Sequence, residues 1–376
     1  MISSQKLAQL QGILFEKQEI VRRNEERIHQ LIDKIALLRQ TKPSDASSGE
    51  ESTEDEEIVE AKEEDDDVAS RHPRKIGEFA LRDTSTLIPV EYAKPFLKKA
   101  IFELPPNTPQ PGLPLNLLDG VDSFFCVEHK NERFPAFLRW IQETAPPNQT
   151  LTEFLRGCEF VSLRGTLNRL PKGRPVVCCK YEGVIFMCEA EWKNLDSAKN
   201  LLYAQIMLRN FVTEIRTKNI QATDKTDEFY MVYECGEKTK TSAKFCYATK
   251  TDCVDEDGAP VQIPPFVNRS RQSTFVNPTS SYLDRRSAVV VAKRFTNFSL
   301  SLSEVALEKC QLSAEFDEKS YLEIERLQQH LAMIRAHFAD VRDGEYVCVK
   351  SGKEGLQFSQ TEYSFLPTTF QKRFKQ

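Results

Sequence analysis

A chain of 376 residues with 40% hydrophobic content has room for one large globular domain or two ordinary ones. Its longest uninterrupted apolar stretches, such as Ala288–Ala292, fall far short of the ~20 residues that a helix needs to span a bilayer, so no membrane-spanning helix is expected. The net charge of -5 conceals a segregation: Asp45–Asp67 holds thirteen acids and one base, Lys62, which leaves the rest of the chain at +7, compatible with a nucleic-acid partner without establishing one.

In chain order, residues 1–40 come first, with a seven-residue period: Leu7, Leu14, Val21, Ile28 and Ile35, with Leu10, Lys17, Asn24, Leu31 and Leu38 between them. Spacings of three and four keep these positions on one seam of a helix, which predicts a coiled-coil-like element. Residues 7–38 would serve self-association or a protein partner, or else lie on the main domain. Residues 41–72 read as an acidic disordered linker, nearly free of aromatics. Within it Ser47, Ser48, Ser52 and Thr53 each have an acid three residues downstream, which suits an acid-directed kinase or simply a solvated spacer.

Residues 73–376 have the composition of a folded domain. Ala136–Thr144, Leu151–Cys158, Ser197–Ile215 and Asp317–Val341 show helical spacing. Phe160–Leu163, Pro175–Cys179, Gly183–Glu189, Glu228–Tyr233, Lys244–Asp252 and Ser287–Ala292 read as strands, and Tyr346–Lys350 with Leu356–Phe358 as a final hairpin. Interleaved helices and strands without a repeat predict a mixed α+β architecture: one large domain with mixed sheets flanked by helices, behind the N-terminal helix and linker.

Chemical motifs are sparse. There is no glycine-rich phosphate loop, no G-x-S-x-G elbow and no zinc spacing. Ten cysteines include no C-x-x-C pair, and the N-terminus MISSQKLAQLQ lacks an apolar signal core, so reduced thiols in the cytosol or nucleus are expected. His330 and His337 stand seven apart on a predicted helix and form no ligand set.

Several segments, in order, resemble the decapping nuclease (DXO) family, which removes aberrant 5′ caps from RNA. They are Ile76-Gly77-Glu78-Phe79-Ala80-Leu81, Leu118-Asp119-Gly120, and Glu132-Arg133 ahead of Trp140. Next comes the arginine-motif segment Phe160–Leu170, containing Leu163-Arg164-Gly165, then Tyr181-Glu182-Gly183, Cys188-Glu189-Ala190-Glu191 and, near the end, Tyr363-Ser364-Phe365-Leu366-Pro367. The resemblance spans roughly residues 74–370 and implies RNA contacts at Glu132, Leu163, Arg164 and Gly165, and a nuclear location.

Cutting a phosphodiester or pyrophosphate requires neutralising charge on the phosphoryl oxygens and activating a water, and paired Mg²⁺ or Mn²⁺ ions held by carboxylates do both. The family supplies those carboxylates from a helix glutamate, a Glu-x-Asp strand and a Glu-x-Lys strand. In this chain Leu201–Arg209 resembles the helix, with Arg209 at the glutamate and Gln205 at its glycine. Thr249–Cys253 resembles the Glu-x-Asp strand, with Lys250 at the glutamate and Asp252 retained. Phe266–Ser270 resembles the Glu-x-Lys strand, with Asn268 and Ser270 in place of the charged pair.

Exchanging two carboxylates for two cations moves the local charge by about four units, and unit charges ~4 Å apart interact by about 4 kcal/mol at an effective dielectric of ~20. Loss or weakening of the metals is therefore expected, while Arg209 and Lys250 become candidate phosphate contacts. Three readings stand. The first is a pseudoenzyme that binds RNA 5′ ends in protection or quality control. The second is an active metal-dependent hydrolase that removes aberrant or NAD caps and degrades RNA 5′ to 3′. The third is a non-enzymatic protein-interaction scaffold.

Overall fold

Successive side chains of a strand point to opposite faces, so a strand buried on both sides feeds two cores at once. Glu228–Cys235 does so: Tyr230 and Val232 enter one apolar layer, Phe229, Met231, Tyr233 and Cys235 another, and all eight residues are buried. The computed structural model describes residues 72–375 except 84, 106–107, 125–132, 191–198, 217–226, 265–281, 297–298, 310–313 and 353–354, and the side chains of 314–320. The predicted N-terminal helix, the acidic linker up to residue 71, Glu132 and Asn268 lie outside the described residues.

In chain order the strands are β1 (Arg74–Arg82), β2 (Thr86–Ile88), β3 (Phe96–Leu97), β4 (Leu115–Asn116), β5 (Phe160–Leu163) and β6 (Val176–Tyr181). Next come β7 (Val184–Glu189), β8 (Thr213–Glu214), β9 (Glu228–Cys235), β10 (Phe245–Lys250) and β11 (Cys253–Val254). The last are β12 (Pro260–Gln262), β13 (Ala288–Arg294), β14 (Ser301–Lys309), β15 (Tyr346–Gly352) and β16 (Gly355–Gln360). Nine form one sheet, in the order β16-β15-β6-β7-β5-β10-β9-β1-β2, and seven form the other, β4-β14-β13-β12-β11-β3-β8. Both sheets are mixed: β5 runs parallel to β7 and β10, and β12 runs parallel to β13.

Helices cover the sheets through the periodic apolar positions. Phe134, Phe137 and Ile141 of the Arg133–Thr144 helix join Phe370 and Phe374 of Thr368–Phe374 on one face of the large sheet. Ile324, Leu327, Leu331 and Ile334 of the Ala314–His337 helix cover the other. Ala204, Leu208 and Val212, four residues apart on Lys199–Val212, pack on the smaller sheet against Val261, Val290 and Val305. The described residues fall in one compact unit and make a mixed α+β domain of two sheets flanked by helices. None of their helices is long and apolar enough to cross a membrane.

The structure departs from the sequence reading at several points: the helix expected over Ser197–Ile215 covers Lys199–Val212 and gives way to β8, and the helices Arg164–Arg169 and Thr368–Phe374 were not expected. The helix expected over Leu151–Cys158 covers only Leu151–Phe154, because Arg156 (φ 53) and Gly157 (φ 75) turn left-handed. The nine-residue strand β14 was not expected: only Leu302 and Val305 are buried in a run of Ser, Glu and Lys, so its alternation is faint. Gly77, in the first motif segment, is explained by close approach. A Cβ there would stand 2.5 Å from the Trp140 ring. Gly77→Ala is expected to lower stability by about 1–3 kcal/mol through overpacking, read as a lower urea midpoint at unchanged m-value.

Candidate functional site

Three parallel strands end at one place. Glu189, Leu163 and Lys250 are the last residues of β7, β5 and β10, and Arg164 follows Leu163 directly. β9 runs antiparallel to β10, with Lys250 opposite Tyr230, so Glu228 reaches the same end. Diverging connections at the carboxyl ends of parallel strands leave a crevice. Here the smaller sheet walls it, because the chain passes from β10 through Thr251 and Asp252 into β11 and brings Gln262 and Arg286 alongside. The cleft has a volume of about 380 Å³, and its charged lining is Arg133, Arg164, Lys250 and Arg286 with Glu189, Asp252 and Asp284.

Two buried carboxylates organise those cations. Glu228 accepts two bonds from the Arg133 guanidinium, at 2.9 and 2.8 Å, one from Lys250 Nζ at 2.8 Å and one from the Tyr230 hydroxyl at 2.6 Å. Asp284 accepts from Arg164 at 2.6 Å and from the Thr249 hydroxyl at 2.6 Å, and is ion-paired with Arg286, which also donates to Gln262. Exposure separates the partners. The Glu228 and Asp284 side chains are 5% and 8% accessible, whereas Lys250 is 36%, Arg133 34% and Arg164 24%. Glu228 stands behind its two cations, whereas Asp284 is itself on the lining, beside Arg164 and a buried Arg286.

Burial alone would raise the Glu228 carboxyl, but the Lys250 ammonium and the Arg133 guanidinium outweigh it and hold the group well below the ordinary carboxylate range. Tyr230 moves the other way: burial, reinforced by the Glu228 charge, pushes the phenol well above its usual value, so it stays a donor. Glu189 is also raised, by burial, against the pull of Arg169, its ion-pair partner at 2.8 Å. Gly165 lies against it, and a Cβ there would stand 3.1 Å from Glu189 Oε1.

Leu163, Arg164, Gly165, Lys250 and Asp252, named from the sequence, all line this cleft. Arg209 is not on the lining. Gln205, one turn earlier on the same helix, is, and Arg209 lies where its charge acts on the buried Cys253 thiol. Sequence reasoning missed Glu228, Asp284, Arg286 and Tyr230, and quoted Arg133 and Thr249 only as neighbours of Glu132 and Lys250 in their motif segments. The available signals were an acid opening an apolar strand at Glu228-Phe229-Tyr230 and the charged triplet Asp284-Arg285-Arg286 before a β-branched run.

A magnesium or manganese site needs several oxygen ligands converging on one point. Among the described residues, no three His, Cys, Asp or Glu side chains form such a group. Asp252 Oδ2 accepts the Ile263 backbone N–H at 2.9 Å, and Glu228 and Asp284 are each already neutralised by two cations. The acids nearby in sequence do not converge there either. Asp255–Asp257 form a turn closed by Gly258 N–H to Asp255 O at 3.2 Å, Glu256 pairs with Lys99, and Glu214 with Arg216. The described residues do not fit a carboxylate-held divalent cation.

A mixed α+β domain of two sheets, with a charged cleft at the ends of three parallel strands, is the class these elements define. Known structures share the fold. A Rai1 from Scheffersomyces stipitis in complex with (3'-NADP)+ and calcium ion superimposes with a TM-score of 0.59 at 13% identity, over 81% of this chain and 96% of that one. A Candida albicans Rai1 in complex with pU5-Mn2+ gives 0.57 at 11% identity, over 81% and 96%. A K. lactis Dxo1 in complex with manganese gives 0.51 at 11% identity, over 79% and 94%. No family model and no curated protein matches this chain in sequence. The protein has the fold of these Rai1 and Dxo1 structures.

Proposed function

We propose that this protein holds the 5′ end of an RNA by its phosphates in the cleft, without a metal and without cutting it. The observation that carries this is the layering of charge at one end of the cleft: Arg133 and Lys250 face it while their shared counter-ion Glu228 lies buried behind them, and Arg164 joins them on the lining. Anchored cations lose less side-chain entropy on gripping a phosphate, and guanidinium groups match phosphoryl oxygens in bidentate fashion. The Rai1 structure with pU5 and Mn²⁺ supports RNA as the ligand class, on the same fold.

Holding and cutting make different demands. Guanidinium and ammonium groups donate hydrogen bonds to phosphoryl oxygens but offer no acceptor to take a proton from water. A hydrolase would need a general base or a bound hydroxide at the scissile phosphorus. The cleft carboxylates nearest the cations are already committed to them.

Fluorescence anisotropy with a 5′-monophosphorylated oligoribonucleotide in EDTA tests this reading. Binding should weaken as salt rises, and Arg164→Ala should weaken it by about tenfold or more with a shallower salt slope. Equal affinity of Arg164→Ala and wild type, or binding only with Mg²⁺ or Mn²⁺, would contradict it.

A further inference from the structure

The connection between β9 and β10, Gly236–Lys244, carries Lys238, Lys240 and Lys244 against one acid, Glu237. It lies at the opposite end of these strands from the cleft, because Glu228 opens β9 at the cleft and Cys235 closes it at the connection. Three further bases flank it. Arg74 is in register with Glu234 and paired with it, and Arg335 donates to the Lys240 and Ser242 carbonyls. Arg156 sits beside Lys244, whose Nζ donates to the Arg156 carbonyl at 2.8 Å.

The acids that meet these six bases are Glu237, Glu234 and Glu159, and the last two lie underneath. Glu234 and Glu159 are buried, whereas their partners Arg74 and Lys238 are 63% and 67% accessible. Acids that flank these bases in sequence are committed elsewhere: Glu153 to the cap at Thr150, and Glu78 to Lys75 and Lys94. The surface offered to solvent is therefore cationic. The cleft differs, since Glu189, Asp252 and Asp284 stand on its own lining beside the cations.

The chain enters the domain at this same place. The His72 ring lies 5.8 Å from that of Tyr282, the Pro73 carbonyl accepts from Arg285 at 3.0 Å, and Arg74 opens β1. Just upstream is the acidic run Glu60–Asp67, with six acids and one base, Lys62. The seven residues from Asp67 to Arg74 span at most about 25 Å, so the run begins within that distance of the basic surface.

We propose that the β9–β10 connection is a docking surface for an acidic, extended peptide, and that its occupant is the chain's own Glu60–Asp67. Charge complementarity and the short tether carry this, and it goes beyond the cleft at the far end of the strands. Attachment holds the run at a roughly millimolar effective concentration, enough to favour it over a free peptide of the same sequence. Exposed ion pairs are weak singly and screened by salt, so several must form together.

The test is fluorescence anisotropy of a labelled peptide, residues 58–69, added to the full chain. A variant combining Glu63→Gln, Glu64→Gln, Asp65→Asn, Asp66→Asn and Asp67→Asn vacates the surface. It should bind the peptide about tenfold tighter than wild type does, because its own run no longer competes. In that background Lys238→Gln with Lys240→Gln should weaken the peptide by about fivefold, and ~1 M salt should abolish its binding.

Equal peptide affinity in wild type and the neutralised variant would overturn the proposal, and that comparison changes nothing inside the domain. Peptide binding indifferent to the two lysines would overturn it as well. A mass that rises with concentration in wild type but not in the neutralised variant would place the run on a second copy, against the intramolecular assignment. A ten-nucleotide oligouridine that binds through the two lysines where the peptide does not would make this a nucleic-acid surface and overturn the proposal.

Discussion

Asp284→Ala should destabilise the protein by about 3–5 kcal/mol, the cost expected when one partner of a buried ion pair is removed. The physical cause is what it leaves behind. Arg286, 7% accessible, would keep only the neutral Gln262 side chain, and the buried Thr249 hydroxyl would lose the acceptor it bonds at 2.6 Å. Asp284→Asn can still accept from Thr249 but carries no charge, so it should fall between alanine and wild type. Adding Arg286→Met to Asp284→Ala should recover part of the loss, because an apolar side chain needs no counter-ion. Urea unfolding reads all three, and an Asp284→Ala midpoint close to wild type would contradict this role.

The second large effect concerns Glu228 and depends on pH. Its folded-state carboxyl lies well below the ordinary range, so its stabilisation is fully present above the unfolded value of about 4.3 and is lost as pH falls below that. Glu228→Gln should cost about 3 kcal/mol at neutral pH, since Arg133 and Lys250 lose their shared counter-charge. The gap between variant and wild type should then narrow below about pH 4.3. Glu189 acts with the opposite sign, because its folded value is raised: its contribution is present below the ordinary carboxylate value and fades as pH rises through the raised one. Thermal unfolding of wild type and Glu228→Gln between acidic and neutral pH separates the two, and a gap unchanged at low pH would count against Glu228 as the titrating group.

What the sequence revealed follows from the range of each signal. Strands with strong local pattern were legible: Phe160–Leu163 matches β5 residue for residue, and Val184–Glu189 lies within the expected Gly183–Glu189. The motif residues Leu163, Arg164, Gly165, Lys250 and Asp252 were legible as a group and line one cleft. The buried acids were not, because their meaning lies in partners far along the chain. Arg133 and Glu228 are 95 residues apart, and Arg164 and Asp284 are 120 apart. Periodicity reports which face of an element is apolar, and says nothing of which distant cation a lone carboxylate meets. Lys250 shows the same limit. Its position suggested a phosphate contact, whereas its pairing with Glu228 emerged only once β9 and β10 stood side by side.

On the proposed function, the cleft grips an RNA end and does not cut it. Labelled 5′-monophosphate, 5′-triphosphate and NAD-capped RNAs, each incubated with the purified full chain in EDTA, Mg²⁺ or Mn²⁺, test it when binding and product are scored together. The expected result is binding in EDTA with neither shortened RNA nor released cap under any metal. Metal-dependent product that disappears in Asp252→Ala would contradict it, and would mean that a working metal site forms around Asp252.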